Sequence, residues 1–350
     1  MLTVFDKTKR KEWNEIVKSF KDWDVYYLFE YANSFSIHGD GEPLLLYFEE
    51  NNKRMCYQII KRNLSKDSRF EGLIEDKYHD ITITYGYGGP LTDGNFNKDE
   101  QELYLNDLNN YCKENNIVSL FFRFHPLLEN HKLIEDVTTI QYVHDTIVMN
   151  TESEEVINAN LDSKNRNMIR KAIKNNVTIE IKPISEYKEF MNIYNQTMQR
   201  LEAAGYYFFD DPYYESLNEM KDNACIFYAM YENKVIAASI ILYNDKYMHY
   251  HLSGSLLEYR NLPATSLILY EAAKWGAKKG IKEFHLGGGL GKEEDSLYKF
   301  KKAFNKNGSI PFYIGCNIFD QEAYDYLKQV RKENDPNFDI DNGNLIQYRK

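Results

Sequence analysis

The sequence predicts an α+β protein of two domains, each a mixed sheet flanked by helices. Three observations carry this reading. Residues 224–255 hold three β-rich runs, "ACIFYAMYE", "KVIAASIILYN" and "KYMHYHLSGS", separated by Glu-Asn and Asn-Asp turns, as in an antiparallel meander with short connections. Segments of helical periodicity alternate with shorter β-rich runs on both sides of it. A chain of 350 residues also exceeds most single hydrophobic cores.

In chain order, "KRKEWNEIVKSF" reads as a helix, "EPLLLYFEE" and "KRMCYQIIK" as a hairpin, "DEQELYLNDLNNYCKENN" as a helix and "IVSLFFRFHP" as a buried strand. Beyond residue 150, "SEEVINANLDSKNRNMIRKAIKNN" reads as a helix, "VTIEIKP" as a strand and "EYKEFMNIYNQTMQRL" as a second helix before the meander. The helix "PATSLILYEAAKWGAKKG" follows, opened by Pro263 and closed by Gly280, then the strand "KEFHLG", a short helix and the strand "IPFYIGCNIF". The two halves read as copies of one fold, which sets domains at 1–150 and 151–350.

Composition narrows the function classes. Hydrophobic residues make up 43% and aromatics 15%, with only 8 prolines, so the chain has material for packed cores. The opening "MLTVFDKTKRKEW" lacks an apolar signal region, and no segment offers eighteen uncharged apolar residues, so a cytoplasmic protein without an integral membrane segment is expected. Cys56, Cys112, Cys225 and Cys316 are dispersed without a CxxC pair and read as buried free thiols. A net charge of −10 argues against DNA as a partner while leaving room for a local basic patch. A monomer is expected.

The stretch "HLGGGLGKEEDSLYKFKKAF" (His285 to Phe304) concentrates the chemistry. At 100° per residue, Leu297, Phe300, Lys301 and Phe304 share one arc, so Lys301 lies on the core-facing stripe while Lys299 and Lys302 lie opposite. An inward ammonium must snorkel, find a carboxylate or line a cavity for an anionic group. Glu271 also points toward the apolar side of its helix, as a partner for Lys301, a base, or an edge residue reaching solvent. Arg166 and Arg170 are i, i+4 neighbours suited to a diphosphate or an RNA backbone, and Arg200 closes its helix before the aromatic loop "AAGYYFFDDPYY". Solvated helix arginines are the alternative. His249 and His251 alternate on a strand without a third ligand at metal spacing, so no metal site is expected. "GGGLG" lacks the dinucleotide spacing, which removes an oxidoreductase reading.

The element order of the second half resembles the Gcn5-related N-acetyltransferase (GNAT) fold. In that fold a glycine loop at a helix amino end cradles the CoA diphosphate. The matching loop here is "RNLPAT", where Pro263 stands in a glycine position and has no N–H to offer. The stretches "YGGP", "KNRNMIRKAIKNNVTI", "YNQTMQRL", the helix around "LYEAAKWGAKKG", and "GGG" followed by "LYKFKKAF" together resemble the FemABX-like aminoacyltransferases. They equally resemble a sister group of FemAB-like acyltransferases of surface-polysaccharide pathways. The resemblance implies tandem GNAT-like domains and transfer of an aminoacyl group from aminoacyl-tRNA to an amine of a nucleotide- or lipid-linked cell-envelope precursor. No metal or redox cofactor is implied.

On that resemblance Lys301, after Phe300, works at the transfer site, and Gly287, Gly288 and Gly289 let backbone approach the ligand. The motif "RFHP", with His125, stands where the family often has a lysine or acidic residue that contacts substrate. For RNA, Lys274, Lys278, Lys279 and Lys282, with Lys292, Lys299, Lys302 and Lys306, are expected to form a basic strip. Two alternatives stay open: an acyl-CoA-dependent enzyme acting on an amino sugar, and a noncatalytic GNAT-like binding module.

Overall fold

The strands are runs rich in β-branched and aromatic residues, several of them buried on both faces, and helices such as Ser163–Lys174 and Tyr187–Arg200 carry an apolar stripe. The computed structural model describes residues 1–291 and 295–350. In order these form β1 (Leu2–Phe5), α1 (Arg10–Ser19), α2 (Phe29–His38), β2 (Glu42–Glu50), β3 (Lys53–Asn63), β4 (His79–Thr82), β5 (Leu91–Asp93), α3 (Lys98–Glu114), β6 (Ile117–Arg123) and β7 (Thr139–Asn150). Then follow α4 (Glu154–Asn160), α5 (Ser163–Lys174), β8 (Thr178–Pro183), α6 (Tyr187–Arg200), α7 (Asp211–Leu217), β9 (Ala224–Tyr231), β10 (Lys234–Tyr243), β11 (Tyr247–Ser255), α8 (Ala264–Lys278), β12 (Glu283–Gly287), α9 (Ser296–Lys302), β13 (Ser309–Ile318) and α10 (Gln321–Asn334). The class is α+β, with mixed sheets flanked by helices.

Contacts divide the chain into one unit of residues 1–143 and 312–350 and a second of residues 144–311. The carboxyl-terminal segment therefore groups with the first half, whereas the sequence reading assigns it to the second. The reason is local pairing. Ile314–Ile318 of β13 run antiparallel to β6, and α10 then buries Ala323, Tyr324, Leu327 and Val330 with Phe70, Val118 and Tyr348. The last residues are clamped by Asp80, a buried carboxylate that accepts from Arg62 Nε at 2.9 Å, Arg349 Nε at 2.8 Å and Tyr348 OH at 3.1 Å. In this unit β1, β2, β3, β4, β6 and β13 are neighbours in that order, with β5 also on β3. The β2–β3 hairpin turns on Asn51 and Asn52, both at positive φ, as a two-residue turn between right-twisted strands requires.

In the second unit the order is β7, β12, β11, β10, β9, β8. The expected meander is present, and Glu232 and Asn233 make its first turn at positive φ. β11 and β12 run parallel, while β12 and the end of β7 run antiparallel. Helix α6 packs on β10 and β11, and Gly254 permits this: a Cβ there would lie 2.8 Å from Tyr194 Cα. Helices α5 and α8 pack together over a core that includes Ile169, Phe227, Ile241, Leu267, Ile268, Phe284 and Phe304.

The segment 153–176, read as one helix, is two. Leu161 is extended and Asp162 caps α5 by accepting from Lys164 N at 2.6 Å, so a polar cap interrupts the helical run. All four cysteines are buried free thiols. No described helix is long and apolar enough to cross a membrane.

Candidate active site

The parallel pair β11–β12 is hydrogen-bonded only where Tyr247–His249 face Glu283–His285, although β11 continues to Ser255. Beyond that point pairing between these two strands ends, and the triple glycine begins. Gly287 sits at φ +77°, a left-handed conformation that favours glycine. Gly288 is buried against His144, where a Cβ would come within 2.3 Å of the imidazole Cε1 and 3.3 Å of Asp145 O. A Cβ on Gly289 would lie 2.5 Å from the Asp295 carboxylate. That carboxylate is the N-cap of α9, accepting from Tyr298 N at 2.8 Å and from Leu290 N, and these N–H donors hold its pKa below the usual carboxylate range. The glycines thus wrap around the cap that starts the helix carrying Lys301.

Lys301 is buried, 8% exposed, as its place on the apolar stripe demands. Its Nζ donates to the Gly288 carbonyl at 2.7 Å and lies 5.8 Å from the centre of the Tyr250 ring. Burial pushes its pKa down to about 8, against a smaller opposing pull from Asp295. Among the described residues no carboxylate lies within salt-bridge distance of it. Phe300 meets Phe304 edge-on at 5.4 Å, with Phe304 fully buried.

Beside this helix lies a cleft of about 570 Å³ lined by residues of α5, α8, α9 and the end of β11. Its cations are Lys164, Arg260 and Lys299, and Met168, Tyr259 and Phe300 supply apolar surface. Lys164 was not singled out in the sequence. The signal was present: Lys164 and Met168 are i, i+4 on α5, as Arg166 and Arg170 are. The structure brings the former pair, not the latter, to the cleft.

The remaining candidates fall in four places. Glu271 does not partner Lys301; it accepts from Lys274 at 3.2 Å, the i, i+3 neighbour nearest on the helix surface, and Lys274 also lies 3.6 Å from Glu154. Arg166 is spent on backbone, donating to Leu161 O at 2.9 Å and Asn158 O at 3.3 Å where α4 ends, and Arg170 is exposed. Arg200 is exposed and donates to Ser255 O at 2.9 Å, beside the cleft lining rather than across it. His125 belongs to the first unit, fully buried, with Nε2 3.7 Å from Asp24 Oδ2 and its ring near Tyr26 and Tyr87.

His249 and His251 are strand histidines: His249 packs 6.0 Å from the His285 ring, and His251 Nε2 meets Tyr213 OH at 3.0 Å. Of the expected basic strip, Lys274 is held by two carboxylates, Lys279 lies over Trp275, Lys299 reaches the cleft, and Lys292 lies outside the described residues.

A parallel pair of strands whose pairing ends beside an antiparallel meander is the arrangement expected of the GNAT fold. The chain belongs to the FemAB-like family, described as peptidoglycan biosynthesis/recognition, whose model matches residues 89–343. It is thus a peptidoglycan-related acyltransferase, as the resemblance implied. The crystal structure of FemX superposes with a TM-score of 0.68 at 13% identity, over 93% of this chain and 99% of that one. L-PGS from Bacillus licheniformis gives 0.57 at 12% identity, over 93% and 96% of the chains. The carboxyl-terminal domain of a putative lysylphosphatidylglycerol synthetase from Agrobacterium fabrum gives 0.55 at 11%, over 88% and 91%. No curated protein matches the chain by sequence.

Proposed function

We propose that the protein transfers an aminoacyl group from aminoacyl-tRNA to an amine of a peptidoglycan precursor, with Lys301 at the transfer site. The observation that carries this is the buried ammonium of Lys301, fixed on the Gly288 carbonyl and carried by a helix whose residues Ser296, Lys299 and Phe300 line a cleft with cations on its wall. An ammonium has three N–H groups, so fixing one leaves two for a ligand. When the acceptor amine attacks the ester carbonyl carbon, the C–N bond forms, the carbonyl oxygen takes up negative charge, and Lys301 donates to it. Collapse breaks the bond from carbonyl carbon to ribose oxygen, and the proton lost by the amine ends on that oxygen. Neither a metal nor a redox cofactor enters this reaction.

The donor reading rests on the cleft. Lys164, Arg260 and Lys299 suit the phosphodiesters of an RNA end, and the apolar wall suits its terminal base. Pro263, which precedes α8, removes one N–H from the place where a glycine loop would hold a CoA diphosphate. The second reading, acyl-CoA as donor, keeps one observation in its favour: Ala264, Thr265 and Ser266 at the start of α8 line the same cleft. Incubation with labelled aminoacyl-tRNA and, separately, labelled acyl-CoA, each with an amine-bearing precursor, tests the choice. Label reaching the acceptor from tRNA alone supports the proposal. Transfer from acyl-CoA alone would replace it with the second reading, and saturable precursor binding with no transfer from either donor would favour a binding module.

A further inference from the structure

A second cleft, of about 790 Å³, opens at the opposite end of β12. Its walls are the end of β7 with the residues that follow it and the turns that lead into β11, β12 and β13. Glu283 is the first residue of β12, paired in register with Tyr247 of β11 on one side and Asn150 of β7 on the other, so the three side chains stand in a row on one face. Asn160, Asn307 and Lys282 line the cleft beside that row. Four residue steps along the strand take Glu283 to Gly287, about 13 Å, so this cleft is distinct from the transfer site.

The chemistry of the lining selects a ligand class. Glu283 is half-buried and makes no hydrogen bond or salt bridge among the described residues, and burial raises its pKa above the usual carboxylate range. Its carboxylate opens to the cleft, where water or a ligand hydroxyl can donate to it. The carboxamides of Asn160 and Asn307 each carry a donor and an acceptor side by side, matching vicinal hydroxyls; Asn150, whose Oδ1 accepts from Glu152 N at 2.9 Å, adds its amide N–H donors, and Tyr247 adds an aromatic ring. The carboxylates of Glu152, Asp245 and Glu283 outnumber the ammonium groups of Lys246 and Lys282, which disfavours a phosphate-bearing ligand.

We propose that this cleft is a docking site for a neutral saccharide, separate from the cleft where acyl transfer occurs. It would hold the sugar portion of a glycan through Asn150, Asn307 and Glu283, with the Tyr247 ring against the apolar face of a pyranose.

The test is a titration of the full chain with the trisaccharide of N-acetylglucosamine, followed by amide chemical shifts. Saturable shifts confined to residues 148–152, 245–247, 280–283 and 305–308 are expected. Glu283→Gln and Asn307→Ala, both on surface-accessible groups, are expected to weaken binding about tenfold each, with unchanged thermal unfolding. Lys301→Met is expected to bind the trisaccharide as the wild type does, which separates this site from the transfer site. Absence of saturable shifts, shifts mapping to the Lys164–Arg260 cleft, unaltered affinity in both variants, or inorganic phosphate producing the same shifts would each overturn the proposal.

Discussion

Lys301 and Gly288 are joined by a 2.7 Å hydrogen bond from the buried ammonium to the glycine carbonyl. Two features of one sequence stretch, a run of glycines and a lysine on an apolar stripe, are thereby parts of one arrangement. The glycines bring backbone close enough to hold the ammonium, and the cap on Asp295 sets the helix that delivers it.

Burial of that ammonium costs stability. With its pKa pushed down from 10.5 to about 8, the folded state binds fewer protons than the unfolded chain between those values, so the penalty is full below pH 8 and shrinks as pH rises toward 10.5. Lys301→Met, which keeps the length without the charge, is therefore expected to stabilise the fold by on the order of 3 kcal/mol as an upper bound at pH 7. The gain should fade above pH 9. Thermal unfolding of both proteins between pH 6 and pH 10 measures it; a less stable variant at pH 7 would contradict the burial argument.

The same shift predicts the alkaline limb of the reaction. Lys301 loses its proton around pH 8, so transfer should decline above that value once the acceptor amine is deprotonated. Carbon-13 labelling of lysine Cε reads the titration of Lys301 directly: a midpoint near 8 is expected, and a midpoint at the ordinary lysine value would refute the assignment.

Gly288 and Gly291 make a matched pair. A methyl group at Gly288 would strike His144 and press on Asp145 O, whereas at Gly291 nothing among the described residues lies within 4 Å. Gly288→Ala is expected to cost about 1–3 kcal/mol and to disturb the hydrogen bond to Lys301, while Gly291→Ala leaves stability within about 0.5 kcal/mol of the wild type. Chemical denaturation of the two variants decides; equal losses would show that the glycine requirement is not steric.

The carboxyl terminus should prove essential to the first unit. Arg62 and Arg349 hold the Asp80 carboxyl well below the usual carboxylate range despite complete burial. Because the folded pKa is depressed, this stabilisation is present above the ordinary value of 3.8 and is lost as pH falls below it. Arg349→Ala leaves a buried carboxylate with one partner fewer and is expected to cost about 3 kcal/mol at pH 7. A wild-type-like urea midpoint would contradict the clamp.

Much of this was legible in the sequence, and the exceptions have physical reasons. The meander, helix α8 and the inward placement of Lys301 follow from periodicities that local composition expresses directly. Helix α2 was not, because it is buried on most sides, from Phe29 to Phe35, and shows no polar stripe to mark its period. The break at Leu161–Asp162 was hidden because α4 and α5 both follow helical periodicity, and only the cap separates them. Helix α10 carries a readable stripe of Ala323, Tyr324, Leu327 and Val330, but its place in the first unit depends on β13 pairing with β6, a long-range contact that no local pattern encodes. Glu271 shows the limit of a helical wheel, which locates a face and not the partner on it: Lys274, on the same helix, took the carboxylate.

The central claim is that the ammonium of Lys301 stabilises the oxyanion of acyl transfer from aminoacyl-tRNA. Single-turnover transfer from labelled aminoacyl-tRNA to an amine-bearing peptidoglycan precursor, at pH 7, compares wild type with Lys301→Met most directly. The account predicts a rate lower by about 10²–10³ in the variant, with tRNA affinity and fold retained. A folded Lys301→Met protein that transfers at the wild-type rate would contradict it.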